Sequence, residues 1–298
     1  MSFVYARKYL NKIRVFADNK MTIAPKDELF FIKSIGMENY RKIKSLGVIK
    51  NVIINQNICI CSAGMLEDYN DLLKYVDNNT NLTYEDICNE ALKINIKANN
   101  RTDFIICTVK DTNKITQIKD YNMEETESSW IGSKECFEKF QSIRLSEKMK
   151  NQTIYNCASK TELPYDAELI DITSFSKTLK SNIDDSVGEI SIECVSRDNK
   201  FCYMDKLFTS ISKPRTLEKG KNLKIYDDVF NGGYTYYVYK SFDNYKLYIN
   251  QLNCGVVYCP CVSYEKYNHL RIPKFEYCDV KDFEKNYNCE EVTIIMNV

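Results

Sequence analysis

MSFVYARKYLNKIRVFADNKMT, residues 1–22, and KNVIINQNICICSAG, residues 50–64, decide how this chain folds. In the first stretch Phe3, Tyr5, Ile13, Val15 and Ala17 fall at near-alternating positions on either side of Asn11 and Lys12. A period of two in aromatic and β-branched residues reads as a strand, and polar residues between two such runs read as a hairpin turn. The second stretch repeats the device, with Val52 to Ile54 and Ile58 to Ser62 flanking Asn55, Gln56 and Asn57. Two hairpins in succession therefore open the chain.

Beyond Gly64, the run MLEDYNDLLKYV sets Leu66, Tyr69, Leu72, Leu73 and Val76 at three- and four-residue spacing, the stripe of an amphipathic helix. Asn78, Asn79, Thr80 and Asn81 end it. Thr83, followed by Glu85 and Asp86, starts a second helix that carries Ile87, Ala91, Leu92 and Ile94 toward Asn99. Strands are expected over 103–109 and 115–121 around the turn Asp111, Thr112 and Asn113, with a short one near Trp130 and Ile131. Trp130, the only tryptophan, reads as a core or interface anchor. Helices follow over 134–145 and 165–179, then strands over 189–195 and 201–203 joined by Arg197, Asp198 and Asn199. This order suits an α+β fold in which two sheets lie between two helical layers, so that each amphipathic face is used once.

The 298 residues, 44% of them hydrophobic, can build one large domain or one domain with an appendage. Basic and acidic residues balance at 41 each, so no global field recruits nucleic acid or an anionic membrane. No run approaches the length of apolar sequence that spans a bilayer, and the first residues lack the apolar core of a signal peptide. A cytoplasmic protein with no membrane and no nucleic-acid partner is expected. Thirteen cysteines, an odd number, then read as thiols rather than a disulfide framework. Cys254, Cys259, Cys261, Cys278 and Cys289 are the densest group, but Cys259 and Cys261 enclose one residue where zinc knuckles enclose two to four, so no metal is expected. Residues 25–47 interrupt the opening pattern and read as a surface excursion. Residues 211–298 are rich in tyrosine and read as strands over 234–240, 245–252, 255–259 and 292–298. The sheet propensity of Tyr, Val and Ile accounts for them better than a base-stacking surface does.

Removal of Met1, normal before a small residue, would leave Ser2 with a free α-amine beside its own hydroxyl. An α-amine titrates at about 7.7–8.0, which suits a general base at neutral pH. A chain whose single histidine is His269 needs no imidazole for acyl transfer of that kind.

With Ser2, Asp18 in VFADNKMT, Lys50 in KNVIIN, Ser62-Ala63-Gly64 and Trp130-Ile131-Gly132-Ser133, the chain resembles a proteasome β-subunit of the N-terminal-nucleophile (Ntn) hydrolase superfamily. The spacing from Lys50 to Gly64 is the family's own. The chain departs from the pattern where Ser2 replaces the usual Thr, where Asn19-Lys20 replaces Ser-Arg, and in the insertion over residues 25–47. The resemblance implies a four-layer αββα sandwich over residues 2–210, with a β-rich C-terminal extension over 211–298. It implies an amide-bond hydrolase, a proteasome-like peptidase or amidase, acting on a peptide or small amide substrate without a cofactor. Ser2 Oγ would be the nucleophile, Lys50 would favour the deprotonated amine and hydroxyl, and Asp18 would hold Lys50 charged. The Gly64 N–H would serve an oxyanion hole, with Ser133 and Asp185 as accessory residues near the amine. Met21, Val48, Ser62 and Leu66 would line the substrate pocket. Self-association as a homo-oligomer and an ATPase or regulatory partner belong to the same resemblance. Such folds also include inactive members, so a catalytically inactive assembly or regulatory protein is the alternative.

Overall fold

The computed structural model describes residues 2–20, 28–29, 32–33, 37, 49–79, 81–157, 167–188, 191–203, 207–209, 235–239, 245–249, 254–258 and 274–287. In chain order the elements are β1 (Phe3–Tyr9), β2 (Lys12–Asp18), β3 (Asn51–Ile54), β4 (Ile58–Ala63), α1 (Leu66–Asn78), α2 (Tyr84–Lys97), β5 (Asp103–Thr108), β6 (Lys114–Lys119), β7 (Asn122–Glu125) and β8 (Ser128–Gly132). They continue with α3 (Lys134–Cys157), α4 (Ala167–Leu179), β9 (Ser191–Arg197), β10 (Lys200–Tyr203), β11 (Leu207–Thr209), β12 (Thr235–Tyr239), β13 (Tyr245–Ile249), β14 (Cys254–Tyr258), β15 (Lys274–Tyr277) and α5 (Val280–Asn286). Three antiparallel sheets result, ordered β10-β9-β2-β1-β8, β3-β4-β5-β6-β7 and β11-β12-β13-β14-β15.

The layering follows from what each strand puts on its two faces. Along β1, Val4 and Ala6 join Ile13, Val15 and Ala17 of β2 and Ile131, Ile192 and Cys194 in one buried cluster with Cys59, Cys61, Ala63, Ile105 and Cys107 from the β4-β5 sheet. Small and β-branched side chains thus fill the space between the first two sheets, which suits close face-to-face packing. The alternate residues of β1, Phe3 and Tyr5, point the other way and pack with Phe16, Phe140, Ile172, Phe175 and Leu179 of β2, α3 and α4. On the far side, Val52, Ile58, Ile60, Phe104, Ile106 and Ile118 cover Tyr69, Leu72, Leu73, Ile87 and Ala91 of α1 and α2. The first two sheets are therefore each covered on both faces, and the four layers are helices, sheet, sheet, helices. This is the αββα sandwich anticipated from the order of elements.

Local details depart from the sequence reading. Tyr9 pairs with Lys12, so the first turn is Leu10-Asn11 rather than Asn11-Lys12, with Leu10 at φ 48°. The exposed β7, Asn-Met-Glu-Glu, shows no alternation and was not expected as a strand. Helix α3 runs on to Cys157, well past Leu145. In the C-terminal part, β12, β13 and β14 fall in the expected strand regions, β15 and α5 were not foreseen, and the strand expected over 292–298 lies outside the described residues. The boundary expected at residue 210 lies just after β11, which is hydrogen-bonded to β12. Most of the excursion over 25–47 also lies outside the described residues.

Candidate active site

Asp18, the last residue of β2, is fully buried, and its two oxygens gather four donors. Lys50 Nζ lies 2.8 and 2.7 Å from Oδ1 and Oδ2. The Phe3 N–H donates to Oδ1 at 2.8 Å, and the N–H groups of Lys20 and Gly188 donate to Oδ2 at 3.0 and 2.8 Å. The carboxylate thus ties the start of β1 to the lysine that precedes β3 and to the loop ahead of β9. Two residues 32 positions apart in sequence meet because β2 and β3 lie in facing sheets. Lys50 is 6% exposed. Burial pulls the Lys50 ammonium below the ordinary lysine range, and the nearby Lys20 charge adds to this, against the opposing pull of Asp18. The carboxylate favours the charged form as expected, yet desolvation outweighs it. A buried lysine paired with a buried carboxylate in such a place marks a functional-site candidate.

Ser2 sits directly before β1, and its carbonyl accepts a 2.6 Å hydrogen bond from the Ser133 N–H. Gly132 makes that approach feasible. Its φ is +95°, and a Cβ there would lie 1.8 Å from the Ser2 carbonyl oxygen and 3.3 Å from the Ala63 Cβ. The same spot therefore borders both Ser2 and the end of β4, which leads into Gly64. Gly64 has φ +134°, and a side chain there would run into the Arg101 carbonyl at 2.2 Å, so only glycine serves the turn from β4 into α1. Among the described residues, no hydrogen bond outside the strand ladder uses the Gly64 N–H.

Ser133 is fully buried, and its hydroxyl accepts from the Cys136 N–H at 3.3 Å at the start of α3. Of the adjacent pair Asp184 and Asp185, it is the Asp184 carboxylate whose charge Ser133 influences. Asp185 contributes its backbone carbonyl to Lys20 Nζ. Asp184 Oδ1 accepts from the Ser186 N–H at 2.8 Å and from its hydroxyl at 2.5 Å. Burial raises the Asp184 pKa, but the nearby Ser133 hydroxyl and the Ser186 hydrogen bonds more than offset it and hold the group below the usual carboxylate range. The Ser133 hydroxyl donates to Glu135 Oε2 at 3.3 Å, and Asp184 Oδ2 has no hydrogen-bond partner among the described residues. Counting along the sequence could not separate two neighbouring aspartates.

The expected pocket residues divide. Met21 and Val48 lie outside the described residues. Ser62 is buried, with its N–H donating to the Lys50 carbonyl at 3.2 Å. Leu66 is half-buried and packs against the core beneath α1 and α2. Trp130 stacks on Phe137 with ring centroids 4.3 Å apart and the Lys119 ammonium 4.0 Å above it. Among the described residues no group of three His, Cys, Asp or Glu side chains is arranged to hold a metal ion, and no helix is long and apolar enough to cross a membrane. Cys259, Cys261 and Cys289 lie outside those residues.

Fold and site together define the class: an αββα sandwich whose first strand begins beside a buried lysine-aspartate pair. The chain is similar to the crystal structure of eukaryotic HslV from Trypanosoma brucei, with a TM-score of 0.42 and 15% identity over 65% of this chain and 98% of that one. It is also similar to an Anbu mutant from Hyphomicrobium sp. strain MC1, with a TM-score of 0.45 and 15% identity over 68% of this chain and 85% of that one. No protein-family model and no curated protein matches the sequence.

Proposed function

We propose that this protein is an Ntn hydrolase that cuts amide bonds, a peptidase or an amidase on a small amide, with Ser2 at the mature chain end after loss of Met1. The observation that carries the reading is the buried Lys50–Asp18 pair, which also holds the Phe3 N–H and so stands at the first peptide unit after Ser2. In the first step Ser2 Oγ bonds to the carbonyl carbon while its proton passes to the Ser2 α-amine. The amide C–N bond then breaks, and the departing nitrogen takes the proton back. Water, deprotonated by the same amine, attacks the acyl ester and releases the acid, restoring Ser2. Lys50 supplies positive charge that favours a neutral amine and an ionising hydroxyl. Ser133 and Asp184 hold the chain start, and the Gly64 N–H faces the developing oxyanion, a contribution typically of about 2.7–4 kcal/mol. Self-association and an ATPase or regulatory partner are part of the same proposal.

One observation favours a second reading, a non-catalytic assembly protein on the same scaffold. Ser2 is 7% exposed in the chain that begins with Met1, and an uncleaved chain has no Ser2 amine. Intact mass and covalent labelling separate the two. The hydrolase has lost Met1 and takes one equivalent of a peptide epoxyketone or β-lactone on Ser2. Labelling disappears in Ser2→Ala and weakens strongly in Lys50→Ala. Retention of Met1, or equal labelling of all three proteins, overturns the proposal.

A further inference from the structure

Thr102 lies between α2 and β5, outside every motif considered above, yet it is fully buried and bonded directly to the turn that carries Gly64. Its Oγ1 accepts from the Met65 N–H at 2.9 Å and donates to Asp68 Oδ2 at 2.6 Å. Its backbone is held in turn: the Asn95 side-chain Nδ2 donates to the Thr102 carbonyl at 2.8 Å, and the Asn95 side-chain Oδ1 accepts from the Tyr121 N–H at 3.1 Å. The Arg101–Thr102 backbone also packs where a Gly64 side chain would be, 2.2 Å from the Arg101 oxygen and 2.6 Å from the Thr102 Cα. The Gly64–Met65 peptide plane is thus clamped from one side by packing and from the other by a hydroxyl whose own direction is set by a carboxylate on the first turn of α1.

We propose that Thr102, oriented by Asp68, is a positioning residue that holds Gly64 from its C-terminal side while the β4 ladder holds Ala63 on the other, so that the Gly64 N–H between them is fixed toward the oxyanion formed when Ser2 attacks its substrate. This inference rests on the hydrolase reading above. Gly64 is a glycine at positive φ with no side chain of its own, so its backbone is held only through its neighbours: the Ala63–Asp103 pairing fixes the peptide that carries the Gly64 N–H, and the Thr102 hydroxyl fixes the peptide that follows. An oxyanion donor is effective only when it is fixed before the charge appears. The Thr102 hydroxyl suits the task because it accepts and donates at once, and burial leaves it no competing water.

The test uses the full-length protein and a peptide β-lactone, with kinact and KI for acylation of Ser2 measured separately. Thr102→Val, which keeps the shape and deletes the hydroxyl, should lower kinact by roughly 10- to 100-fold, the scale for a catalytic group displaced by about an ångström, and leave KI unchanged. Thr102→Ser should restore the parent kinact. If Thr102→Val does not fold, Asp68→Asn carries the same test, with a smaller loss of kinact and an unchanged KI. An unaltered kinact in a folded variant overturns the proposal. So does a parallel loss of kinact and KI that serine fails to rescue, which would make Thr102 structural only. If the parent protein takes no label on Ser2 at all, the hydrolase reading fails first and this inference falls with it.

Discussion

Asp18 decides the geometry of the chain start because four donors share its two oxygens, and three of them are backbone N–H groups. Lys50→Met therefore leaves a buried carboxylate that still has three hydrogen bonds. Its cost in a urea titration should fall below the roughly 3–5 kcal/mol usual when one partner of a buried ion pair is removed. The Lys50 pKa is lowered by burial, so between that lowered value and the ordinary lysine value the unfolded chain binds more protons than the folded one. Stability from this residue accordingly rises with pH across that window. Since other groups make the net alkaline profile fall, losing this offset should make the decline steeper in Lys50→Met than in the parent; identical profiles would contradict the assigned cause. Gly132→Ala tests the same corner from the other side. At φ +95° and 1.8 Å from the Ser2 oxygen, the added methyl must displace either the chain start or the entry to α3. A loss of about 1–3 kcal/mol is expected, together with loss of β-lactone labelling. A variant that labels at the parent rate would mean that Ser2 is not held where the structure places it.

The helices differ in how they are held. Helix α2 begins with a reciprocal cap, in which the Thr83 hydroxyl accepts from the Asp86 N–H at 3.1 Å and the Asp86 carboxylate accepts from the Thr83 N–H at 2.9 Å. Thr83→Ala should cost about 1 kcal/mol, read as a lowered urea midpoint with an unchanged slope. No change would mean that the first turn is secured by Ile87 and Tyr84 packing alone. This cap was legible because Thr83 and Asp86 stand three apart just before an apolar stripe. The hairpins of β1-β2 and β3-β4 were legible for the same kind of reason, since alternation and polar turns coincide there. Elements with no apolar pattern were not. The exposed β7 is recruited only because β6 offers it an edge, and the later part of α3, KMKNQTIYNC, has no stripe to announce a helix. At the site, the meeting of Asp18 with Lys50 could be anticipated from spacing. Thr102 could not, because a lone threonine before a strand looks like any loop residue until α1 is packed beside it.

Between the two facing sheets thiols pack among aliphatic side chains: Cys59, Cys61, Cys107 and Cys194 share one buried cluster. Burial, followed by the neighbouring thiols, pushes Cys61, Cys107 and Cys194 well above the ordinary thiol value. Burial of Cys88, carried by α2 on the β3-β4-β5-β6 side, pushes it up to about 12. The folded chain therefore keeps these protons after an unfolded chain, titrating at about 8.5, has lost them. Where the folded state binds more protons, stability falls as pH rises, by up to about 1.4 kcal/mol per pH unit for each thiol. Lys50 acts in the opposite direction, but it is one group against four. Buried Tyr5, Tyr9 and Tyr84, also raised chiefly by desolvation, extend the decline into the phenol range. Under reducing conditions the urea midpoint should hold steady near neutrality and then drop from about pH 8.5 upward. Cys107→Val, close in volume and unable to ionise, should make that drop shallower while leaving the neutral midpoint nearly unchanged. A midpoint that stays flat or climbs between about pH 8.5 and 10 would show that the thiols ionise while the sandwich is intact, and that water reaches the space between the sheets.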